Sequence, residues 1–130
     1  TKYPVKTRTL TRRHESWWLL VLRADGGDEL RIWLQRRPTR GIWAGLYCTP
    51  VLPSESEALA ALPPGVSPDA VVALEPVAHS LTHRELRLHP LLVDVTAEAV
   101  SGDGQWVARS ALPAVGLPAP VRVLLDRLPD

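Results

Sequence analysis

Residues 16–36 read Ser-Trp-Trp-Leu-Leu-Val-Leu-Arg-Ala-Asp-Gly-Gly-Asp-Glu-Leu-Arg-Ile-Trp-Leu-Gln-Arg, and the two halves of this stretch differ in texture. Trp17-Trp18-Leu19-Leu20-Val21-Leu22 is an unbroken apolar run of strand length, which reads as a buried strand. From Glu29 to Arg36 the chain alternates instead. Leu30, Ile32 and Leu34 fall on one side, and Arg31, Trp33 and Gln35 on the other, which predicts a half-solvated strand. Asp25-Gly26-Gly27-Asp28 lies between them as a turn signal of the composition that tight antiparallel connections use. The stretch is therefore a hairpin, and the rest of the domain is read around it.

Downstream, residues 37–53 carry Gly and Pro punctuation around a short strand near Leu46 to Thr49, a loop with room for function. Ser54-Glu55-Ser56-Glu57 fits a capping box, the Ser54 hydroxyl placed to accept from the Glu57 amide, and Ala58 to Leu62 are helix formers ending at Pro63-Pro64-Gly65. Two apolar strands follow, near Val71 to Ala78 and Leu86 to Val95, flanking His79-Ser80-Leu81-Thr82-His83; Gln105 to Ala108 is one more short strand. The last element, about Pro118 to Leu128, has Pro120 in its first turn and Val121, Leu124, Leu125 and Leu128 at helical spacing. Strands outnumber helices, and the expected architecture is an α+β sandwich with a mixed sheet.

Upstream, residues 1–15 hold five basic residues, one proline and no apolar period, so they read as a basic linker or arm, with the domain proper at 16–130. The 130 residues suffice for one domain with a real core. No apolar stretch approaches the roughly 18 residues of a membrane span. One cysteine, Cys48, rules out an internal disulfide, and with no secretory leader the expected compartment is the cytoplasm. A sequence without methionine that opens Thr1-Lys2-Tyr3-Pro4 is expected to be a piece of something larger. Residues 1–40 carry ten Lys or Arg against four acidic residues, and residues 41–130 five against ten. Such asymmetry suits a polyanion near the basic end, or a solvated face and a basic linker.

The sequence offers little for catalysis. Nothing beside Cys48 supplies the base or positive charge that a nucleophilic thiol needs, so it reads as a strand residue. His79, His83 and His89 lack cysteine or carboxylate partners at a metal-ligand spacing, and no metal site is expected. Gly26-Gly27 does not continue into a phosphate-binding loop. The later carboxylates are dispersed, so no catalytic residue is nominated.

Two apolar strands, Gly41-Ile42-Trp43-Ala44-Gly45-Leu46-Tyr47, a capped helix and a closing sheet and helix together resemble a Nudix-type fold. Hydrolases of that type gather glutamates on a magnesium-binding box. Here the position six after Gly45 is Val51, the helix offers only Glu55 and Glu57, and Arg84-Glu85 continues Leu86-Arg87-Leu88-His89, so the box is missing. A closer resemblance is to the C-terminal domain of MutY-type adenine DNA glycosylases, which is Nudix-like without the box. It is carried by Tyr3-Pro4-Val5-Lys6, Leu34-Gln35-Arg36-Arg37-Pro38, Gly41 to Tyr47, His79 to His83, and Gly116-Leu117-Pro118-Ala119-Pro120-Val121.

That resemblance implies an α+β, Nudix-like mixed-sheet sandwich with about two helices that recognises 8-oxoguanine opposite adenine in double-stranded DNA. The family's reading loop, Phe-Ser-His, is matched by Leu81-Thr82-His83, with leucine in place of the aromatic. Oxidation makes guanine N7 a donor and adds a C8 carbonyl, so a reader needs an acceptor beside a donor. The Thr82 hydroxyl can accept, loop amides can donate, and His83 can reach a phosphate or base edge; an ordinary hairpin loop bonded to its own backbone would use the same residues. Arg36, Arg37 and Arg40 are candidates for phosphates or for a solubilising rim. Trp43 is a candidate for base stacking or for anchoring its loop on the sheet. Trp17 and Trp33 are assigned to the core or to an interdomain face.

The parent would be a bacterial, nucleoid-associated base-excision-repair enzyme whose N-terminal catalytic domain carries a 4Fe-4S cluster. One cysteine cannot hold that cluster, so no cofactor is expected in this chain, which should be monomeric and inactive alone. A stand-alone Nudix-type nucleotide hydrolase and a Nudix-like protein-interaction module are the alternatives.

Overall fold

The computed structural model describes residues 13–130. Strand β1, Arg13–Asp25, is the axis of the fold, and β2, Leu30–Arg36, returns antiparallel to it as the hairpin expected from residues 16–36. Gly26 N–H donates to the Glu29 carbonyl at 2.9 Å across the connection. A Cβ on Gly26 would come within 2.8 Å of that same carbonyl, so only glycine closes the turn this tightly. β1 begins at Arg13, three residues before the change of texture at Ser16, because Arg13 to Glu15 pair with Arg84 to Leu86. The arm expected over residues 1–15 otherwise lies outside the described residues.

Short strands β3, Tyr47–Cys48, and β4, Val51–Leu52, pair with β2 and β1 respectively. Helix α1, Glu55–Ala60, follows. Its capping box is as expected: the Glu57 amide donates to Ser54 Oγ at 3.2 Å, and Ser54 Oγ donates to the Glu57 carboxylate at 2.9 Å. Strand β7, Arg84–Asp94, runs parallel to β1 along eleven residue pairs, which the intervening segment allows by crossing back to the same end of the sheet. β8, Gln105–Ala108, pairs with β2, and helix α2, Ala119–Asp126, closes the chain. The result is an α+β mixed sheet with two α-helices among the described residues.

The single strand expected over 71–78 is two, β5 (Val72–Ala73) and β6 (Val77–Ser80), both antiparallel to β7. Val77 pairs with Leu88 and Ala73 with Leu91, so Leu74 to Pro76 oppose only His89 and Pro90. The edge is broken beside the proline of β7, which has no N–H to give to a ladder.

Odd residues of β1 and even residues of β2 and β7 face one core: Leu19, Val21, Ile32, Leu34, Leu86, Leu88 and Leu92, covered by Val121, Leu124 and Leu125 of α2. Even residues of β1 face a second core with Trp33, Leu91, Val93 and Ala58 of α1. Both faces are covered, which is why Leu19 to Leu22 is apolar without alternation. Each fully buried leucine there contributes about 1.5–3 kcal/mol. The β2 face expected to be half-solvated is covered at Trp33, which is 5% exposed, in keeping with its assignment to the core, and meets Trp106 of β8 edge-on at 5.4 Å. Gly104 lies so close that a Cβ there would fall 2.6 Å from the Trp33 ring. Among the described residues no helix is long and apolar enough to cross a membrane.

Candidate nucleic-acid interface

Strand directions bring distant parts of the sequence to one end of the sheet. β1 and β7 are parallel and start there; β2 and β6 are antiparallel to their neighbours and end there. The turn Leu81 to His83 and the loop 37–46 are therefore neighbours, although some forty residues separate them in sequence.

In the turn, the Leu81 amide donates to the Arg84 carbonyl at 2.7 Å, and the Leu81 side chain packs against the first core. Leu81 is half-buried and anchors the turn on that core, whereas Thr82 and His83 are exposed. The hairpin base is tied by Ser80 Oγ donating to the Glu85 carboxylate at 2.8 Å. Glu15 ties the two strand starts, accepting from Trp17 Nε1 at 3.0 Å and from Arg84 at 2.9 Å.

The loop 37–46 is closed on itself. Arg37 N–H donates to the Leu46 carbonyl at 2.7 Å, and Gly45 N–H to the Pro38 carbonyl at 3.0 Å. Gly41, Trp43 and Gly45 all have positive φ, with Trp43 at +59°. For glycine that costs nothing; for a bulky side chain it is a genuine outlier, of the kind that clusters at ligand clamps. Trp43 is half-buried, its ring 5.3 Å from Trp17 at 89° and 6.1 Å from His79. The His79 contact links the loop to the hairpin. Trp17, assigned in the sequence to the core or an interdomain face, and His79 join this cluster without having been named there as candidate binding residues. Their signal was alternation: Trp17 continues the inward series of Leu19 and Val21, and His79 continues that of Val77.

The three arginines do not act alike. Arg37 lays its guanidinium 5.2 Å from the Trp17 ring centroid, Arg36 is exposed over Tyr47 at 5.1 Å, and Arg40 is exposed. No described carboxylate pairs with any of them. This end of the sheet therefore presents unpaired positive charge around an aromatic cluster, with a hydroxyl and an imidazole at its rim.

Other groups are spent structurally. Cys48 is buried in β3, and desolvation pushes its thiol up to about 11, so it is no nucleophile at neutral pH. His89 stacks on Trp18 at 4.4 Å on the opposite face. Among the described residues no three His, Cys, Asp or Glu side chains gather as a metal would need, and Glu55 and Glu57 are exposed at the start of α1, so the donor set does not fit magnesium-assisted phosphate chemistry.

A mixed sheet covered on both faces by helices, with a cationic and aromatic end, defines the class as a Nudix-fold domain. The sequence model of the NUDIX domain matches residues 17–127, and the chain belongs to that family. Its structure is similar to the C-terminal domain of mouse MUTYH, solved in complex with human PCNA, at 16% identity over 88% of this chain and 86% of that one, TM-score 0.68. It is similar to the NUDIX domain of Shewanella oneidensis NrtR, solved with ADP ribose, at 14% identity over 96% and 90%, TM-score 0.69. MutT protein from Methanosarcina mazei Go1 matches at 18% identity over 91% and 94%, TM-score 0.63. At these identities the likenesses establish the shared fold.

Proposed function

We propose that the domain is the lesion-recognition half of an adenine DNA glycosylase, binding double-stranded DNA that carries 8-oxoguanine opposite adenine. The observation that supports this most is the convergence, through the Trp43–His79 contact, of the exposed Thr82-His83 turn with a loop of unpaired arginines. Arginines on phosphates set the register, and the turn meets the base edge. Thr82 Oγ accepts from the N7–H that only the oxidised base carries. No described hydrogen bond uses the Thr82 and His83 amides, which leaves them to donate to the C8 carbonyl. Adenine excision belongs to an N-terminal catalytic domain of the parent, with its 4Fe-4S cluster. This chain lowers the free energy of the lesion complex while that domain flips and removes the base.

The test compares duplexes with 8-oxoguanine:adenine and guanine:adenine pairs, using this chain and the same chain joined to its catalytic domain. Thr82→Ala should cut the preference for the lesion by about 1 kcal/mol, roughly fivefold, with little change on undamaged DNA. Equal losses on both duplexes would move the lesion-reading role away from Thr82.

A further inference from the structure

Arg37 differs from its neighbours in being built into place. Its backbone is pinned by the bond to Leu46, and its guanidinium lies on Trp17, whose indole is itself fixed by Glu15 and by the edge of Trp43. Its Nε is the one buried side-chain nitrogen or oxygen among the described residues without a hydrogen-bond partner. Leaving such a donor unmet is costly, and native folds rarely do so without a reason. The carboxylate of Glu15, bonded to the same indole, is committed to Trp17 and Arg84.

We propose that Arg37 is an oxyanion site, taking a phosphate side-on through Nε and one Nη. That edge of the guanidinium matches two phosphate oxygens at once, and stacking on an aromatic face leaves it free to do so. Nε is covered in this conformation, so the Nη groups must meet the anion first and loop 37–46, in which Trp43 holds an unfavourable φ of +59°, must move aside before Nε joins. This deepens the reading above: the phosphate is one of the duplex backbone beside the lesion, and Arg37, not the three arginines equally, sets the register. A diphosphate of a free nucleotide has the same chemistry, so the experiment separates the two.

In the whole chain labelled with nitrogen-15, the Arg37 Nε–Hε resonance is followed while an undamaged 20-base-pair duplex, ADP without metal, or inorganic phosphate is added. The duplex should shift it strongly, ADP weakly, and inorganic phosphate least. Arg37→Ala should weaken duplex binding about tenfold near 50 mM salt and reduce the log–log salt slope by about 0.9, the value of one phosphate contact. Arg109→Ala, an exposed cation beside Asp130 where β8 ends, should do neither. Arg37→Lys keeps the charge and guards against misfolding of the alanine variant; it should keep the slope while losing affinity. An unmoved Hε with a wild-type slope in Arg37→Ala, or full affinity in Arg37→Lys, overturns the proposal. A shift with ADP and none with duplex keeps the oxyanion site and removes the DNA-reading function, whereas loss of lesion preference alone leaves Arg37 untouched.

Discussion

At the scale of single residues, the chain separates groups tuned for packing from groups left available. His89 belongs to the first kind. Desolvation lowers its pKa, Arg87 adds to the effect and Glu55 opposes it, while its ring lies nearly parallel to Trp18 at 12°. A histidine whose folded pKa is depressed binds fewer protons folded than unfolded, so its contribution is whole above the unfolded value near 6.5 and is lost as pH falls through the folded one. Thermal unfolding should therefore come at lower temperature as pH drops below about 6.5. His89→Gln should flatten that dependence, and an identical pH profile in the variant would assign it elsewhere. Thr82, His83 and Arg40 are of the second kind, exposed and without described side-chain partners, and their types were legible because hydroxyl, imidazole and guanidinium advertise their chemistry in any fold. Leu81 was less legible: how much of a leucine in such a turn packs on the core is decided by the sheet under it, and here it is half-buried against the first core.

At the scale of elements, the capping box of α1 was readable because it is a contact between residues three apart. Ser54→Ala removes the acceptor for the Glu57 amide and should cost about 1 kcal/mol, measured by denaturant unfolding with unchanged m-value. A loss below a few tenths would mean that packing of Ala58, not the cap, holds this six-residue helix. The hairpin, β8 and α2 were legible for the same reason, since alternation and helical spacing are local. The division of 71–80 into two strands was not, because its cause, Pro90, lies on the neighbouring strand. The burial of Trp33 agrees with its assignment to the core or an interdomain face; what its alternation with Ile32 and Leu34 did not show is that Trp106, distant in sequence, covers that second face.

At the scale of the whole molecule, the Nudix fold comes with no three His, Cys, Asp or Glu side chains gathered together among the described residues. Incubation of this chain with 8-oxo-dGTP and magnesium, or with a duplex containing the mispair, should give no turnover above a protein-free control. Release of pyrophosphate would favour the nucleotide-hydrolase alternative, and release of adenine would place glycosylase chemistry in this chain. Of the ten basic residues in the first forty, Arg36, Arg37 and Arg40 lie at the end of the sheet around loop 37–46, Arg23 and Arg31 pair with Asp94 and Asp28, and Glu15 is paired with Arg84.

What the sequence determined alone is what neighbours within about four residues decide: the hairpin, the capped and amphipathic helices, and the candidate chemistry of Thr82, His83 and the arginines. Tertiary structure alone decided which of these meet. Trp43 touches His79, Arg37 rests on Trp17 while Arg36 rests on Tyr47, and β1 runs parallel to β7 so that the turn and the loop share an end. The reason is physical: each of these contacts except that of Arg36 with Tyr47 joins segments twenty or more residues apart, and only burial of both faces of one mixed sheet holds such segments together.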